Sequence, residues 1–368
     1  MFYNEISQIE IELTTRCNAA CPQCVRNYYG GPTWPSLPLV DIGLDTLINA
    51  ITPLVARLDH IRLCGTYGDP CLHANLPDFV TWLVDNTRVE ITINTNGGMR
   101  NPQWWINLAE RLRSRGRVFF GIDGLQDTNH LYRRNVSWKR LISNLQAFND
   151  AGGNSVWSFI AFEHNQHQIQ QARQLSVDLG CAGFGVKRTG RFVNKLHQPV
   201  AQTPVMDHRY RTISWLKPPT QANLRNQAYD QACGLETTGV SYSNYLQSNT
   251  ISCVAKHTGL INISAQGYVL PCGFLMDRLY GYEAEQHPDH QLLLDMIRRA
   301  GGFDTINIHS RSIQDIVCDD FFSSIAASWT TSARLERCAH MCNDGINVVQ
   351  GAYTDMKDLL AGKFSQSV

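Results

Sequence analysis

The sequence predicts an α/β fold organised on a mostly parallel sheet, followed by a smaller cysteine-bearing extension. Two observations carry this. Over roughly the first 190 residues, short strand-like runs alternate with helix-length amphipathic segments, repeating about every 30 residues from the second strand onward, the usual size of a βαβ unit. Beyond residue 193 that rhythm stops, and a second group of cysteines begins after residue 250.

Ile9-Glu10-Ile11-Glu12-Leu13 alternates with period two and reads as the first strand. Further strands are expected at His60–Cys64, Val89–Asn94, Arg117–Ile122, Val156–Ala161 and Gly183–Lys187. Helical segments are expected between them, at Leu44–Leu58, Pro77–Asn86, Pro102–Arg115, Trp138–Asn149 and Gln166–Leu179. Six such units make a parallel sheet, open or curved into part of a barrel, with chemistry at the carboxyl ends of the strands. Residues 193–250 carry Pro199, Pro204, Pro218 and Pro219 amid Gln, Asn and Thr, and read as a bridge with short helices around Tyr210–Leu216. Leu260–Ile263 and Gly267–Leu270 then form a hairpin signal with its turn at Ser264–Gly267. Helices are expected at Gln291–Arg299 and Ile313–Trp329. The division is therefore a core at 1–192, a bridge at 193–250, an extension at 251–345 and a tail at 346–368.

Composition narrows the function classes. With 43% hydrophobic residues the chain of 368 buries a sizeable core, which excludes wholesale disorder. The 32 basic and 32 acidic side chains balance, which argues against a phosphate-tracking face, so no nucleic-acid partner is expected. No apolar run approaches membrane-spanning length and Met1–Glu5 lacks a signal-peptide pattern, so a cytoplasmic protein without membrane attachment is expected. Twelve cysteines in a reducing compartment read better as metal or cluster ligands than as disulfides.

Their spacing supports this. Immediately after the first strand comes Cys17-Asn18-Ala19-Ala20-Cys21-Pro22-Gln23-Cys24, three thiols on one loop. Three thiolates can hold one cubane and leave its fourth iron open; a zinc knuckle or incidental core cysteines are the bland alternatives, though zinc normally takes four closing ligands. Later strand ends carry Gly65-Thr66-Tyr67-Gly68-Asp69-Pro70, Thr95-Asn96-Gly97 and Gly121-Ile122-Asp123-Gly124, each by itself an ordinary turn signal. Their succession after the triplet is not ordinary.

The triplet and the strand ends together resemble the radical SAM superfamily. The resemblance implies a partial (β/α)6 TIM-like barrel in which Cys17, Cys21 and Cys24 hold a [4Fe–4S] cluster. S-adenosylmethionine (SAM) then chelates the open iron and is cleaved to a 5′-deoxyadenosyl radical, with the protein positioning the cofactor. The Gly65–Pro70 run is similar to the family's GGEP element, Asn96 lies in a TNG-like turn, and Asp123 in an SIDG-like segment near the ribose. Gln23, Tyr67, Gly68, Asp69, Asn96, Asp123 and Asn165 (after strand five) are the expected SAM contacts. The chain departs from the pattern at Asp69 in place of Glu, at Gly121 in place of Ser, and at Gln23 where many members carry an aromatic. Cys71, just past Asp69-Pro70, is a candidate hydrogen-atom donor, with a buried small hydrophobe as the plainer reading.

Cys253, Gly267 and Cys272, followed by Cys338-Ala339-His340-Met341-Cys342, resemble the SPASM and twitch extensions of that superfamily. The resemblance implies one auxiliary [4Fe–4S] cluster on Cys253, Cys272, Cys338 and Cys342; too few cysteines remain for a second. A structural zinc on the same four is the competing reading. Cys233 and Cys318 are reserves, Cys318 being expected in the core of an apolar helix; Cys64 and Cys181 are unassigned. Lys187, Arg188 and Arg191 read as solvated cations, and Trp104, Trp105 and Trp157 as core.

These features predict an enzyme that abstracts hydrogen from a C–H bond, leading with modification of a ribosomally made peptide, as such enzymes most often do. An external electron donor such as flavodoxin or ferredoxin is implied. Strand one begins at residue 9, leaving no room ahead of it for a leader-recognition domain. A separate protein could deliver the peptide, or the bridge could recruit it. The alternative is an enzyme acting on a small metabolite such as a sugar, and a remote one a non-enzymatic iron–sulfur or zinc protein.

Overall fold

The computed structural model describes residues 3–194, 198–237, 239–281 and 285–346; the expected tail at 346–368 lies outside the described residues apart from Ile346. Six parallel strands form in chain order: β1 (Gln8–Ile11), β2 (His60–Leu63), β3 (Glu90–Thr95), β4 (Gly116–Gly121), β5 (Ser155–Ile160) and β6 (Gly183–Lys187). They pair β1-β2-β3-β4-β5-β6. The fold is thus the mixed α/β, parallel-strand architecture that the sequence predicts.

Alternation sorts each strand's side chains. Ile9, Ile11, Ile61, Leu63, Ile91, Ile93, Val118, Phe120, Trp157 and Phe159 point to one face and are fully buried under the helices. Trp105 joins that core against Phe120 and Phe148, and Trp104 packs on Trp105. The opposite, inner face is polar: Glu10, Arg62, Thr92, Asn94, Arg117, Ser158 and Lys187 are all partly open. On it Arg62 pairs with Glu10 at 3.1 Å, and His60 Nε2 lies 2.7 Å from Thr92 Oγ1.

Several helices are shorter than their periodicity predicts, for local reasons. The first ends at Ile51 because Pro53 removes a donor, leaving a 3₁₀ turn at Thr52–Leu54. The third runs Pro102–Leu112, capped by Asn101 on the Trp104 amide at 3.0 Å, and stops where Arg113 takes a positive φ of 51°. The segment expected as one helix from Ile313 to Trp329 is two, Ile313–Val317 and Asp320–Ser328, with Asp319 capping the second. Cys318 sits in that break and is exposed, not in the core as expected.

Two larger differences concern the bridge and the extension. Around Tyr210–Leu216 the chain forms a hairpin of β7 (Thr203–Met206) and β8 (Thr212–Leu216), not the short helices expected. Asp207 sets the turn, its Oδ1 accepting the amides of Arg209 and Arg211 at 2.8 and 3.0 Å, and the β-branched and aromatic residues of Thr212–Trp215 suit a strand. The second half of the bridge packs elsewhere: Ala228 and Ala232 of helix Gln227–Thr237, with Tyr242 and Leu246 of the next helix, share a small core with Ala339, Met341 and Cys342.

The expected second hairpin is present as β9 (Leu260–Ile263) and β10 (Val269–Leu270). It is not detached from the core, because β9 pairs parallel to β1 from Gln8↔Leu260 to Ile11↔Ile263, extending the main sheet to eight strands. Among the described residues no helix is long and apolar enough to cross a membrane.

Candidate active site

The carboxyl ends of β1–β6 converge on the Cys17–Cys24 loop. The Gly65–Asp69 run from β2 lies directly along the start of that loop, with Asp69 N donating to Arg16 O at 2.9 Å. Gly68 is required there, since a Cβ would collide with the Thr14 carbonyl. Glu12 holds the same run from below, its Oε1 accepting the amides of Tyr67 and Gly68 at 2.6 and 3.1 Å. Burial pushes the Glu12 carboxyl up to about 7, against those amide bonds that pull it down.

Asp69 is the hub of the site. Buried, it accepts Thr95 Oγ1 at 2.9 Å, the Asn96 amide at 2.8 Å, Asn96 Nδ2 at 2.7 Å and the Cys71 amide at 3.0 Å. The shorter acid thus ties the β2 and β3 ends together. Asn96 passes the connection on: Nδ2 also reaches Asn18 Oδ1 at 2.9 Å and lies 3.8 Å from Cys17 Sγ.

The β4 end is built around Asp123, whose Oδ1 accepts the Ile160 amide at 2.5 Å and whose Oδ2 accepts Arg133 Nε at 2.6 Å. Arg133 Nη1 lies 3.7 Å from Cys21 Sγ. From the β6 end, Gln23 Nε2 donates to Arg191 O at 3.3 Å, while Arg191 Nη1 donates to Gln23 O at 2.6 Å. This polar strap occupies the place where an aromatic was the family expectation. Arg191 is exposed, as the solvated reading expects, with its guanidinium also bonded to the Gln23 carbonyl.

Asn165 and Tyr67, like Asp69 and Asp123, have their polar groups committed to partners within the chain. Asn165 Nδ2 donates to the Asp123 and Ile160 carbonyls at 3.0 and 2.9 Å, and its Oδ1 accepts the Phe162 amide. Tyr67 gives its amide to Glu12, its carbonyl to Arg26 at 3.0 Å and its hydroxyl to Met276 O at 2.8 Å. It is a seam between core and extension. Cys71 is 1% exposed, below the mouth where the donor reading placed it, and burial raises its thiol well above the ordinary range. A hydrogen-atom donor must reach substrate, so the structure seats Cys71 as a core thiol. Cys64, unassigned from sequence, is the partly open thiol on the inner face beside Glu10.

The three loop thiols interact electrostatically with one another. Cys17 is raised by burial, then by the charges of Asp69, Cys21 and Cys24, so the three lie within electrostatic reach of one another. Cys21 is pushed up to about 11 by burial despite the Arg133 cation. Burial thus favours the protonated form of Cys17 and Cys21, which metal coordination would reverse. No group of three His, Cys, Asp or Glu among the described residues closes around a single ion position.

The second group comes from separate elements. Cys253 and Cys272 each precede a short helix, Val254–Thr258 and Gly273–Met276, and Cys338 and Cys342 belong to and follow Glu336–Met341. Cys338 is raised by burial and by the charges of Cys272, Cys253, Asp289 and Cys342. Asp289 braces that helix, accepting the amides of Glu336 and Arg337 at 2.8 and 2.6 Å. Cys233 interacts instead with Tyr229.

Residues 11–171 match the sequence model of the Radical SAM superfamily. Over 152 residues the chain is 26% identical to GTP 3',8-cyclase of Acidothermus cellulolyticus, a match covering 40% of this chain and 41% of that protein, so it spans less than half the length of this relative. The structure of anSMEcpe with bound AdoMet, at 12% identity, covers 88% of this chain and 81% of its own with a TM-score of 0.52. Streptococcus suis SuiB bound to S-adenosylmethionine, at 13% identity, covers 74% of this chain and 61% of its own with a TM-score of 0.48. At these identities the structural likeness concerns the fold alone. The family model thus covers the part of the chain that holds the braced three-thiol loop, and the fold is one that anSMEcpe shares.

Proposed function

We propose that this protein is a radical SAM enzyme that abstracts hydrogen from a substrate C–H bond, with a ribosomally made peptide as the leading substrate. The observation that carries the enzymatic reading is the convergence on one loop: Asn96 lies 3.8 Å from Cys17 Sγ and Arg133 3.7 Å from Cys21 Sγ, both held by buried carboxylates. A cluster on Cys17, Cys21 and Cys24 with bound SAM supplies, after one-electron reduction, a 5′-deoxyadenosyl radical. The chain's own residues orient and shield that chemistry. Asp69 and Asp123 fix the strand ends, Gln23 straps the β6 loop over the cysteine loop, and the inner face from Glu10 to Lys187 offers polar groups to a substrate.

The peptide reading is supported by the fold shared with anSMEcpe, a protein crystallised with a bound Kp18Cys peptide. We place an auxiliary [4Fe–4S] cluster, as in SPASM and twitch extensions, on Cys253, Cys272, Cys338 and Cys342. An external one-electron donor such as flavodoxin or ferredoxin, and a separate leader-recognition protein, complete the scheme. A small polar metabolite is the second reading, favoured by the charged inner face, where Asn262 and Arg62 both hold Glu10.

The test is anaerobic reconstitution with iron and sulfide, reduction, and assay of SAM cleavage. Release of 5′-deoxyadenosine is the expected result; its absence from a protein loaded with iron would defeat the enzymatic reading. Hydrogen transfer from a deuterated peptide or from a deuterated sugar into 5′-deoxyadenosine then separates the two substrates.

A further inference from the structure

Gly121 departs from the resembling family's serine, and the structure shows what fills the space. A Cβ at Gly121 would collide with Nη2 of Arg133. Arg133 follows the short helix Asn129–Tyr132, and its neighbour Arg134 accepts the amide of Ala20 at 3.0 Å, so this turn is bonded directly to the cysteine loop. Its guanidinium is held at Nε by Asp123 at 2.6 Å, and Asp123 is itself fixed by the Ile160 amide. The Asp123 side chain is fully buried and that of Arg133 largely so. One arm of the fork is left to rest 3.7 Å from Cys21 Sγ. Cys17, by contrast, receives the neutral amide of Asn96.

We propose that Arg133 is a positioning residue that raises the reduction potential of the cluster on Cys17, Cys21 and Cys24, by holding a fixed positive charge against the Cys21 sulfur. This rests on the radical SAM reading above. Reduction adds one negative charge to the cluster, and hydrogen bonds and charge at the ligand sulfurs are main determinants of its potential. Burial keeps that interaction from being screened by water. Arginine does not lose its proton in the accessible range, so the effect is constant with pH. Gly121 is part of the device, because any side chain there displaces the guanidinium.

The test compares wild type with Arg133→Lys, Arg133→Gln and Gly121→Ser, each reconstituted anaerobically. Iron and sulfide are counted, and the EPR signal that responds to SAM is titrated against solution potential. At a fixed potential, Arg133→Gln is expected to lower the reduced-to-oxidised ratio at least tenfold, a downward shift of about 59 mV for one electron. Arg133→Lys retains most of the wild-type value, and Gly121→Ser shifts it down while every charge is kept. If Arg133→Gln loses iron because Asp123 is left unpaired, the double variant Asp123→Asn/Arg133→Gln replaces the ion pair by an amide pair and is read the same way. Wild-type potential in the glutamine and serine variants would overturn the proposal while leaving the family reading intact. A wild type that takes up no SAM-responsive cluster overturns both.

Discussion

Cys17, Cys21 and Cys24 lie on one short loop at the end of a single strand, whereas Cys253, Cys272, Cys338 and Cys342 arrive from separate elements spread over residues 253–342. The first set is local: once β1 forms, only the loop must be ordered, and Asp69, Asn96 and Arg133 brace it from the neighbouring strand ends. The second set is conditional. It requires β9 to pair with β1, Tyr67 to bond Met276, and helix Glu336–Met341 to pack on Tyr242 and Leu246. Closing such long loops costs entropy that packing must offset. A motif on one loop survives as a readable pattern, while a site assembled across a domain leaves only scattered letters.

The largest expected effect breaks the local set. Cys21→Ala should abolish 5′-deoxyadenosine formation while the iron bound by the second set remains, as iron counts would show; retained SAM cleavage would mean the loop is not the radical centre. Breaking the conditional set should do less. Cys338→Ala should remove about half the iron and leave the SAM-responsive EPR signal in place. Losing that signal as well would mean the two sites stand or fall together.

A third measurement separates bracing from ligation. Asp69→Ala leaves the Thr95, Asn96 and Cys71 donors without their buried carboxylate, and urea denaturation of the protein is expected to show a loss of about 4 kcal/mol. A loss under about 1 kcal/mol would demote Asp69 from hub to bystander.

The smallest effect lies at the junction of the two regions. Burial raises the Glu12 carboxyl from 4.5 to about 7, so the folded chain holds that proton more tightly than the unfolded one. Stability therefore falls as pH rises from about 5 through about 7, and the loss, up to about 3 kcal/mol, is complete above that range. Glu12→Gln keeps an acceptor for the Tyr67 and Gly68 amides and should flatten this slope in denaturation curves at pH 5 and pH 8. An unchanged slope would assign it to another group.

Much of the core was legible before folding. All six parallel strands appear within about two residues of their expected places, because period-two alternation of β-branched and aliphatic residues reports burial directly. The three strand-end segments were legible as turns, since Asn-Gly, Asp-Gly and Gly-Asp-Pro have few other conformations. Their atomic roles were not. Asn165 and Tyr67 carry the residue types of ligand contacts, yet their polar atoms go to Asp123, Ile160, Glu12 and Met276. Arg133 had no signal of its own; the one hint was the glycine at position 121, which reads as a loss until the guanidinium is seen in its place.

The bridge and extension were less legible for a related reason. Tyr210–Leu216 lacks a period strong enough to separate helix from strand, and the Asp207 turn decided it. That β9 joins the core sheet could not be read from Leu260–Ile263, because a hairpin has the same local pattern whether its free edge meets solvent or β1.

Local chain chemistry was therefore sufficient to determine the α/β rhythm, the three-thiol loop and the turn at each strand end, since each depends on residues near one another in sequence. Tertiary structure alone decided which buried carboxylate braces which strand end beside the thiols, and that the extension shares the main sheet. Those outcomes depend on distances between residues up to about 250 positions apart, such as Glu10 and Asn262, which side-chain packing sets and one-dimensional spacing does not encode.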